Sequence, residues 1–252
     1  MNLTKQLKVA PGSQVKLASI DPSFHGKWKD ADDAKAELDR NLSRITTLQR
    51  KLYADRRHSL LVVLQGIDGA GKDGTCWHVI SAMDPQGVHV QGFKQPTEEE
   101  RDHDFLWRVH PHVPGRGRVA IFNRSHYEDV LVVRVHKLVP KHVWKPRYDF
   151  INEWENLLAT ENNTTILKFF LYISKEEQLS RFKERLSIRR GNGRSATATM
   201  PSAICGANIS MHSRPHCLNV RRNTRRGSSF QPITNGFATS RYRRSSPTPW
   251  MT

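Results

Sequence analysis

Acidic residues are absent from the end of this chain: residues 187–252 contain 11 Arg and no Lys, Asp or Glu. Cysteine is scarce as well. Cys76, Cys205 and Cys217 are the only three, and their spacing matches neither a zinc site nor a disulfide framework. A reducing cytoplasm is therefore the expected location. No stretch reaches the roughly 18 consecutive apolar residues of a membrane span, which excludes a helical membrane protein. The opening residues, Met-Asn-Leu-Thr-Lys-Gln-Leu, lack the apolar core of a secretory signal.

The formal net charge of +16 over 252 residues points to an anionic partner. The charge is unevenly spread. Taking the 11 tail arginines from the chain's 40 basic residues leaves 29 against 24 acidic residues in 1–186, a net of only +5. The chain thus has two compositional parts, and its basic extreme belongs to the second. The length allows one large α/β domain with a substantial core.

What is present is concentrated in residues 59–75. An apolar run, Leu60 to Leu64, leads into Gly66-x4-Gly71-Lys72, and a helical pattern follows. This is the strand, loop and helix order of a P-loop. Its glycines let successive backbone N–H groups line an anion-sized hollow. The helix that opens near Lys72 adds its positive dipole end, and Lys72 can bridge the outer phosphates as a mobile charge. One position departs from the pattern. The hydroxyl residue that normally follows the Lys as a Mg2+ ligand is Asp73, and the nearest hydroxyl is Thr75.

Periodicity organises the rest of the first part. Residues 1–30 read as an irregular arm. Leu38, Leu42, Ile45, Leu48 and Leu52 fall on one face of a helix over 31–56. Val88 to Phe93 reads as a strand. Because ligands of open α/β sheets sit beyond the carboxyl ends of strands, Lys94 and Thr97 become site candidates. Glu98 to Trp107 reads as a helix. His110-Pro-His112 lacks further ligands at metal-site spacing and reads as a loop. Arg118 to Phe122 reads as a strand ending in Asn123, where P-loop enzymes place a Mg2+-holding carboxylate. Arg124 can clamp a phosphate oxygen bidentately, and Glu128 and Asp129 follow. A helix over 126–136 ends in Arg134, His136 and Lys137. Another, Pro146 to Leu158, turns Phe150, Trp154 and Leu157 or Leu158 inward. Ile166 to Ile173 reads as a strand buried on both faces. Ser174-x-x-Glu177 is a capping box opening a helix over Lys175 to Leu186. Strands alternating with helices predict a three-layer αβα fold with a mostly parallel sheet.

Beyond Leu186 periodicity stops, and Pro, Ser, Thr, Arg and Gly dominate. At face value this is a disordered basic tail able to bind polyanions. Its lack of both Lys and acids fits a change of reading frame between Leu186 and Ser187. Pairing the third base of each codon with the first two of the next forces Ala from Met200-Pro201 and Leu from His216-Cys217. The remaining choices permit an amphipathic, acid-containing segment like the first part.

Gly66-Ile-Asp-Gly-Ala-Gly-Lys-Asp-Gly74, Phe93-Lys-Gln-Pro-Thr97, His103-Asp-Phe-Leu-Trp-Arg108 and Phe122-Asn-Arg-Ser-His-Tyr-Glu-Asp-Val130 together resemble the polyphosphate kinase 2 family, over about residues 30–186. The resemblance implies a P-loop kinase fold with a lid. It also implies Mg2+-dependent transfer of a phosphoryl group between inorganic polyphosphate and a nucleoside mono- or diphosphate, of the AMP or ADP class. Under it, Asp68 is the metal-linked or nucleophile-orienting carboxylate, with Glu128 as a second metal ligand. Lys72 and Arg124 stabilise the transferring group. Gly69, Ala70, Gly71, Asp73 and Gly74 offer backbone donors beside Gly66 and Thr75. Lys94, Arg108, Arg134 and Lys137 hold the chain or the acceptor. Family members also lead one to expect a homo-oligomer. The lid that should follow Leu186 is absent from the tail, which predicts a weakly active or inactive, poorly stable chain. Domains accordingly divide as an arm (1–30), an incomplete phosphotransferase domain (31–186) and a non-native or disordered tail (187–252). The alternatives are a non-catalytic nucleotide- or polyphosphate-binding relic and, behind it, a nucleic-acid-binding protein using the Arg-rich tail.

Overall fold

Strand β1 (Ser59–Gly66) runs through the sheet because its side chains are apolar on both faces. Leu61 and Val63 point one way, Val62 and Leu64 the other. In this computed structural model, which describes residues 6–9, 15, 17–191 and 230–234, five strands stand in the order β2-β3-β1-β4-β5. They are β2 (Val88–Gly92), β3 (Val119–Asn123), β4 (Thr164–Tyr172) and β5 (Phe230–Thr234) around β1. Every pairing is parallel, with Leu64 opposite Asn123 and Gly66 opposite Leu171. The helices are α1 (Ala31–Asp55), α2 (Lys72–Ile80), α3 (Glu98–Asp102), α4 (Glu128–Val135), α5 (Lys141–Trp144), α6 (Arg147–Glu161) and α7 (Lys175–Gly191).

Each face of the sheet has its own core. Leu61, Val63 and Phe122 pack with Tyr127, Ile151, Trp154 and Leu158 beneath α6. Val62, Leu64 and Ile121 pack with Leu52 of α1 and Cys76 of α2. Helices on both faces of a parallel sheet make the three layers the sequence predicts. Burying a side chain the size of Leu61 contributes about 1.5–3 kcal/mol.

The long helix α1 starts where expected. The Asp30 side chain accepts from Asp33 N at 2.9 Å, and the helix stops at Arg56, whose φ of 53° is left-handed. Of its predicted apolar face, Leu52 is buried and Leu38, Leu42, Ile45 and Leu48 are half-buried. In the preceding arm, Trp28 is buried against Ala34, with Leu7 and Phe24 packed beside them.

Four local expectations change. Helix α3 ends at Asp102 rather than Trp107, because the Asp104 carboxylate accepts from Leu106 N at 2.9 Å and closes a local turn instead. In α6 the inward face is Ile151, Trp154, Glu155 and Leu158, whereas Phe150 and Leu157 point to solvent. Strand β4 is not buried on both faces: burial largely alternates along it, and Lys168 lies on the covered side. Helix α7 continues past Leu186 to Gly191.

The expectation of a disordered or non-native tail falls largely outside the described residues. Within the tail, Phe230–Thr234 forms β5, parallel to β4 from Lys168↔Phe230 to Tyr172↔Thr234. No strand is predicted there from the sequence. An edge position tolerates Pro232, which has no N–H to donate.

Candidate active site

The loop between β1 and α2 is shaped by close approaches that only glycine allows. A Cβ at Gly66 would lie 2.6 Å from the Leu171 carbonyl oxygen on the neighbouring strand. Gly69 and Gly71 have φ of +81° and +91°, and Gly71 caps α2. Lys72 opens that helix. Its Nζ is folded back onto the loop, donating to the carbonyls of Gly66 at 2.9 Å and Ile67 at 3.1 Å. Burial lowers the Lys72 pKa from its ordinary value, and the nearby Arg124 charge lowers it further. Thr75 is buried, its hydroxyl donating to the Gly71 carbonyl at 3.0 Å; Asp73 and Gly74 are exposed on the first turn of α2.

β3 neighbours β1, so its carboxyl end arrives beside the loop. Arg124, at φ 66°, sits there with its guanidinium between two carboxylates: 3.6 Å from Asp68 Oδ1 and 3.8 Å from Glu128 Oε2. Burial raises the Glu128 pKa, against the opposing pull of Arg124 and Lys72. Asn123 donates from Nδ2 to Asp73 Oδ1. Lys72, Arg124, Asp68, Glu128, Asp73 and Asn123 therefore form one cluster at the carboxyl ends of β1 and β3. An incoming phosphate would find a buried cation and a half-exposed one here, each now satisfied by groups it can exchange.

The other predicted residues lie elsewhere. Lys94 is exposed beyond β2, and its carbonyl accepts from Arg108 at 2.9 Å. Arg108 is buried, with Glu100 at 3.3 Å and Asp129 at 3.5 Å, and its guanidinium lies 5.6 Å from the Phe93 ring centroid. Burial raises the Asp129 pKa despite Arg108 and Arg147 beside it. Thr97 is the N-cap of α3 and forms a full capping box with Glu100. Arg134 and Lys137 are at the far end of α4, where Arg134 stacks on Trp144 at 5.6 Å. A rise of about 1.5 Å per residue separates Glu128 from Arg134 by about 9 Å along the axis.

Two groups escaped the sequence reading. On α7, Gln178 Nε2 donates to the Asp68 carbonyl at 2.6 Å, and Arg181 donates to the Gly69 carbonyl at 3.0 Å. Beneath the Asn123–Asp129 segment lies a buried polar network. Lys168 Nζ donates to Glu155 Oε2 at 2.5 Å and to the Tyr127 hydroxyl at 2.9 Å. Tyr127 donates to Glu155 Oε1 at 2.8 Å, and His126 Nε2 lies 3.4 Å from the same oxygen. Lys168 within an apolar strand was the available signal, since a buried lysine requires a partner. The polar atoms of His126 and Tyr127 thus serve the interior, while the half-buried Arg124 and Glu128 flank them.

The carboxylates fit Mg2+. Asp68 and Glu128 lie on either side of the Arg124 guanidinium. Among the described residues no group of three or more His, Cys, Asp or Glu could hold a metal by itself. Mg2+ typically uses one or two carboxylates with waters and substrate phosphates, so that count is compatible with it. His110 and His112 form no such group. His110 Nδ1 accepts from Trp154 at 3.0 Å, and His112 stacks on His89 at 5.7 Å. Among the described residues no helix is long and apolar enough to cross a membrane.

Known proteins resemble this chain in sequence and fold. The family model described as Polyphosphate kinase 2 (PPK2) matches residues 10–189. The chain is 51% identical over 186 residues to an AMP/ADP-polyphosphate phosphotransferase of Meiothermus ruber, covering 72% of this chain and 68% of that one. It is 40% identical over 213 residues to an ADP-polyphosphate phosphotransferase of Rhodopseudomonas palustris, covering 78% and 72%. The crystal structure of polyphosphate kinase 2 from Arthrobacter aurescens TC1 superposes with a TM-score of 0.82 at 35% identity, covering 93% of this chain and 82% of that one.

Proposed function

The chain belongs to the polyphosphate kinase 2 family, and we propose that it transfers a phosphoryl group between inorganic polyphosphate and AMP or ADP. The observation that carries this reading is the cluster at the ends of β1 and β3. There Lys72 is folded onto the loop's carbonyls and Arg124 lies between the carboxylates of Asp68 and Glu128.

In the phosphorylating direction, a terminal phosphate oxygen of the nucleotide forms a bond to the end phosphorus of the polyphosphate. The bridging P–O bond breaks, and the shortened chain leaves with the electron pair. Such a transition state demands positioning and charge neutralisation more than covalent help. Lys72 exchanges the carbonyls of Gly66 and Ile67 for phosphate oxygens. Arg124 exchanges Asp68 and Glu128 for equatorial oxygens of the transferring group. Asp68, thereby released, orients the attacking oxygen or holds a metal. Backbone N–H groups of Gly69 and of Gly71 to Gly74 donate to the phosphates, whereas that of Ala70, expected to do so, is spent on the Ile67 carbonyl at 3.1 Å. Mg2+, held by Asp68 and Glu128, would neutralise phosphate charge. Lys94, Arg134 and Lys137 supply positive charge for the outer chain, and Arg108 holds the Lys94 backbone in place.

The named phosphotransferase relatives favour an enzyme over a relic. The resemblance implies lid cations after Leu186 that the sequence from Ser187 on does not match, and water exclusion strengthens every charge contact at such a site. Slow transfer is therefore expected of this chain. The free, buried Cys76 accords with a reducing cytoplasm, and light scattering will show whether the chain is a homo-oligomer. The decisive experiment incubates the purified chain with polyphosphate, Mg2+ and ADP or AMP and measures nucleotide phosphorylation, beside Lys72→Ala of matched melting temperature. Transfer lost with Lys72 supports the reading. Transfer unchanged in Lys72→Ala overturns it, and none above blank in the parent chain favours the non-catalytic binding relic instead.

A further inference from the structure

Helix α7 lies against the outer wall of the phosphate loop, and its contacts there are specific. Gln178, Arg181 and Phe182, at i, i+3 and i+4, form one stripe. The ideal Cβ position of Gly69 lies 3.7 Å from both Gln178 and Phe182, and that of Gly71 lies 3.2 Å from Arg181 Nη1. Gln178 is buried and donates to the Asp68 carbonyl at 2.6 Å. Arg181 donates to the Gly69 carbonyl at 3.0 Å while its Nε bonds Glu177 at 2.7 Å. Glu177 is itself tied to the helix start, its N–H donating to the Ser174 hydroxyl at 3.1 Å.

We propose that Gln178 and Arg181 are positioning residues that hold the phosphate loop in its anion-binding form. The inference rests on the reading of the loop as the phosphate site. Its physical basis is the planar peptide. In a trans unit the carbonyl and the following N–H point in opposite directions, and none of the described peptides is cis. Fixing the Asp68 carbonyl on Gln178 aims the Gly69 N–H away from α7, toward the phosphate side. Fixing the Gly69 carbonyl on Arg181 holds the next peptide, whose Ala70 N–H closes a turn onto the Ile67 carbonyl at 3.1 Å and so keeps the loop's shape. Both anchors act on a stretch that glycine leaves free to rotate. Without them the two peptides can flip and present carbonyl oxygens to an anion. The same bonds couple the loop to the direction of α7, the helix that runs on to Gly191.

The test is binding of inorganic tripolyphosphate to the full-length chain by calorimetry, with melting temperature recorded for each variant. Gln178→Met removes the anchor without altering charge or bulk. It is expected to weaken binding by on the order of tenfold, the scale of losing one net hydrogen bond. Arg181→Ala is expected to weaken binding similarly, and Arg181→Lys, which keeps a donor, to restore most of it. Equal affinity in Gln178→Met and the parent chain overturns the inference. So does an Arg181→Lys as weak as Arg181→Ala, or a loss that follows the melting temperature alone. A parent chain that binds no tripolyphosphate, or binds it equally after Lys72→Ala, overturns the phosphate-site reading instead and removes the inference's premise.

Discussion

Asn123 and Asp73 hydrogen-bond to each other across 50 positions of sequence, Nδ2 donating to Oδ1 at 2.5 Å. These are the two places where the chain departs from the usual P-loop pattern. An amide stands where a strand-end carboxylate is expected, and a carboxylate stands where a hydroxyl is expected. Their contact sets the two departures side by side, with the negative charge on α2 instead of β3, and the two are expected to compensate each other.

A double-mutant cycle checks this. Asn123→Asp alone sets two carboxylates against each other and should lower both stability and transfer. Asp73→Ser alone removes the amide's acceptor. The two together restore the ordinary pattern, so the double variant should lose less than the sum, with a coupling of about 0.5–3 kcal/mol. Urea unfolding and kcat/KM give the four corners, and additive effects would contradict the compensation.

Stability should fall in acid through Glu155. Burial by itself would raise this carboxyl. The Lys168 charge and the hydrogen bonds from His126 and Lys168 outweigh burial and hold it at about 2, below the ordinary 4.5. The folded chain therefore binds fewer protons than the unfolded chain between these values. The resulting stability is whole above pH about 4.5 and is lost as pH falls toward 2, in total on the order of 3 kcal/mol. Urea midpoints from pH 6 to pH 3 measure it. A midpoint as high at pH 3 as at pH 6 would sink the prediction, and Glu155→Gln should flatten the slope.

Breaking the buried pair should cost more than replacing it. Glu155→Ala leaves the Lys168 ammonium enclosed without its carboxylate and is expected to destabilise by about 3–5 kcal/mol. Adding Lys168→Met and Tyr127→Phe, with Leu in place of Glu155, removes the stranded groups together. That triple variant should unfold at a higher urea concentration than Glu155→Ala. The reverse order would show that the network is worth more than its desolvation.

The coding DNA offers a check on the tail. Regrouped by one base from the codon for Ser187 onward, it is expected to read an amphipathic segment containing acids, without early stops. Resequencing across the codons for Leu186 and Ser187 decides whether a base was gained or lost. Stop codons or a further acid-free run in the regrouped frame would refute the idea. The family match ends at residue 189, close to that boundary.

The site divides cleanly into what local sequence could express and what it could not. Gly66-x4-Gly71-Lys72 was legible because its chemistry is local: one turn of glycines after an apolar strand and before a helix. Arg124 and Glu128 were legible because a parallel α/β sheet brings the ends of its strands to one edge. The inward face of α6 was misjudged by one residue, Phe150 for Ile151. A helix with apolar residues at both positions carries no internal statement of which side meets the sheet.

Along the chain, hydrophobic period and glycine placement determined the alternation of strands and helices, the phosphate loop and the cluster of Lys72, Arg124, Asp68 and Glu128 near it. Those features depend on backbone conformation and on burial, which neighbouring residues largely set. Tertiary structure alone decided that Asp73 answers Asn123, that Glu155 and Lys168 share a buried network with Tyr127 and His126, and that Gln178 and Arg181 hold the loop from outside. Each of these is a directional contact a few ångströms long between residues 13 to 112 positions apart. Such contacts exist only after the sheet has fixed where the elements lie.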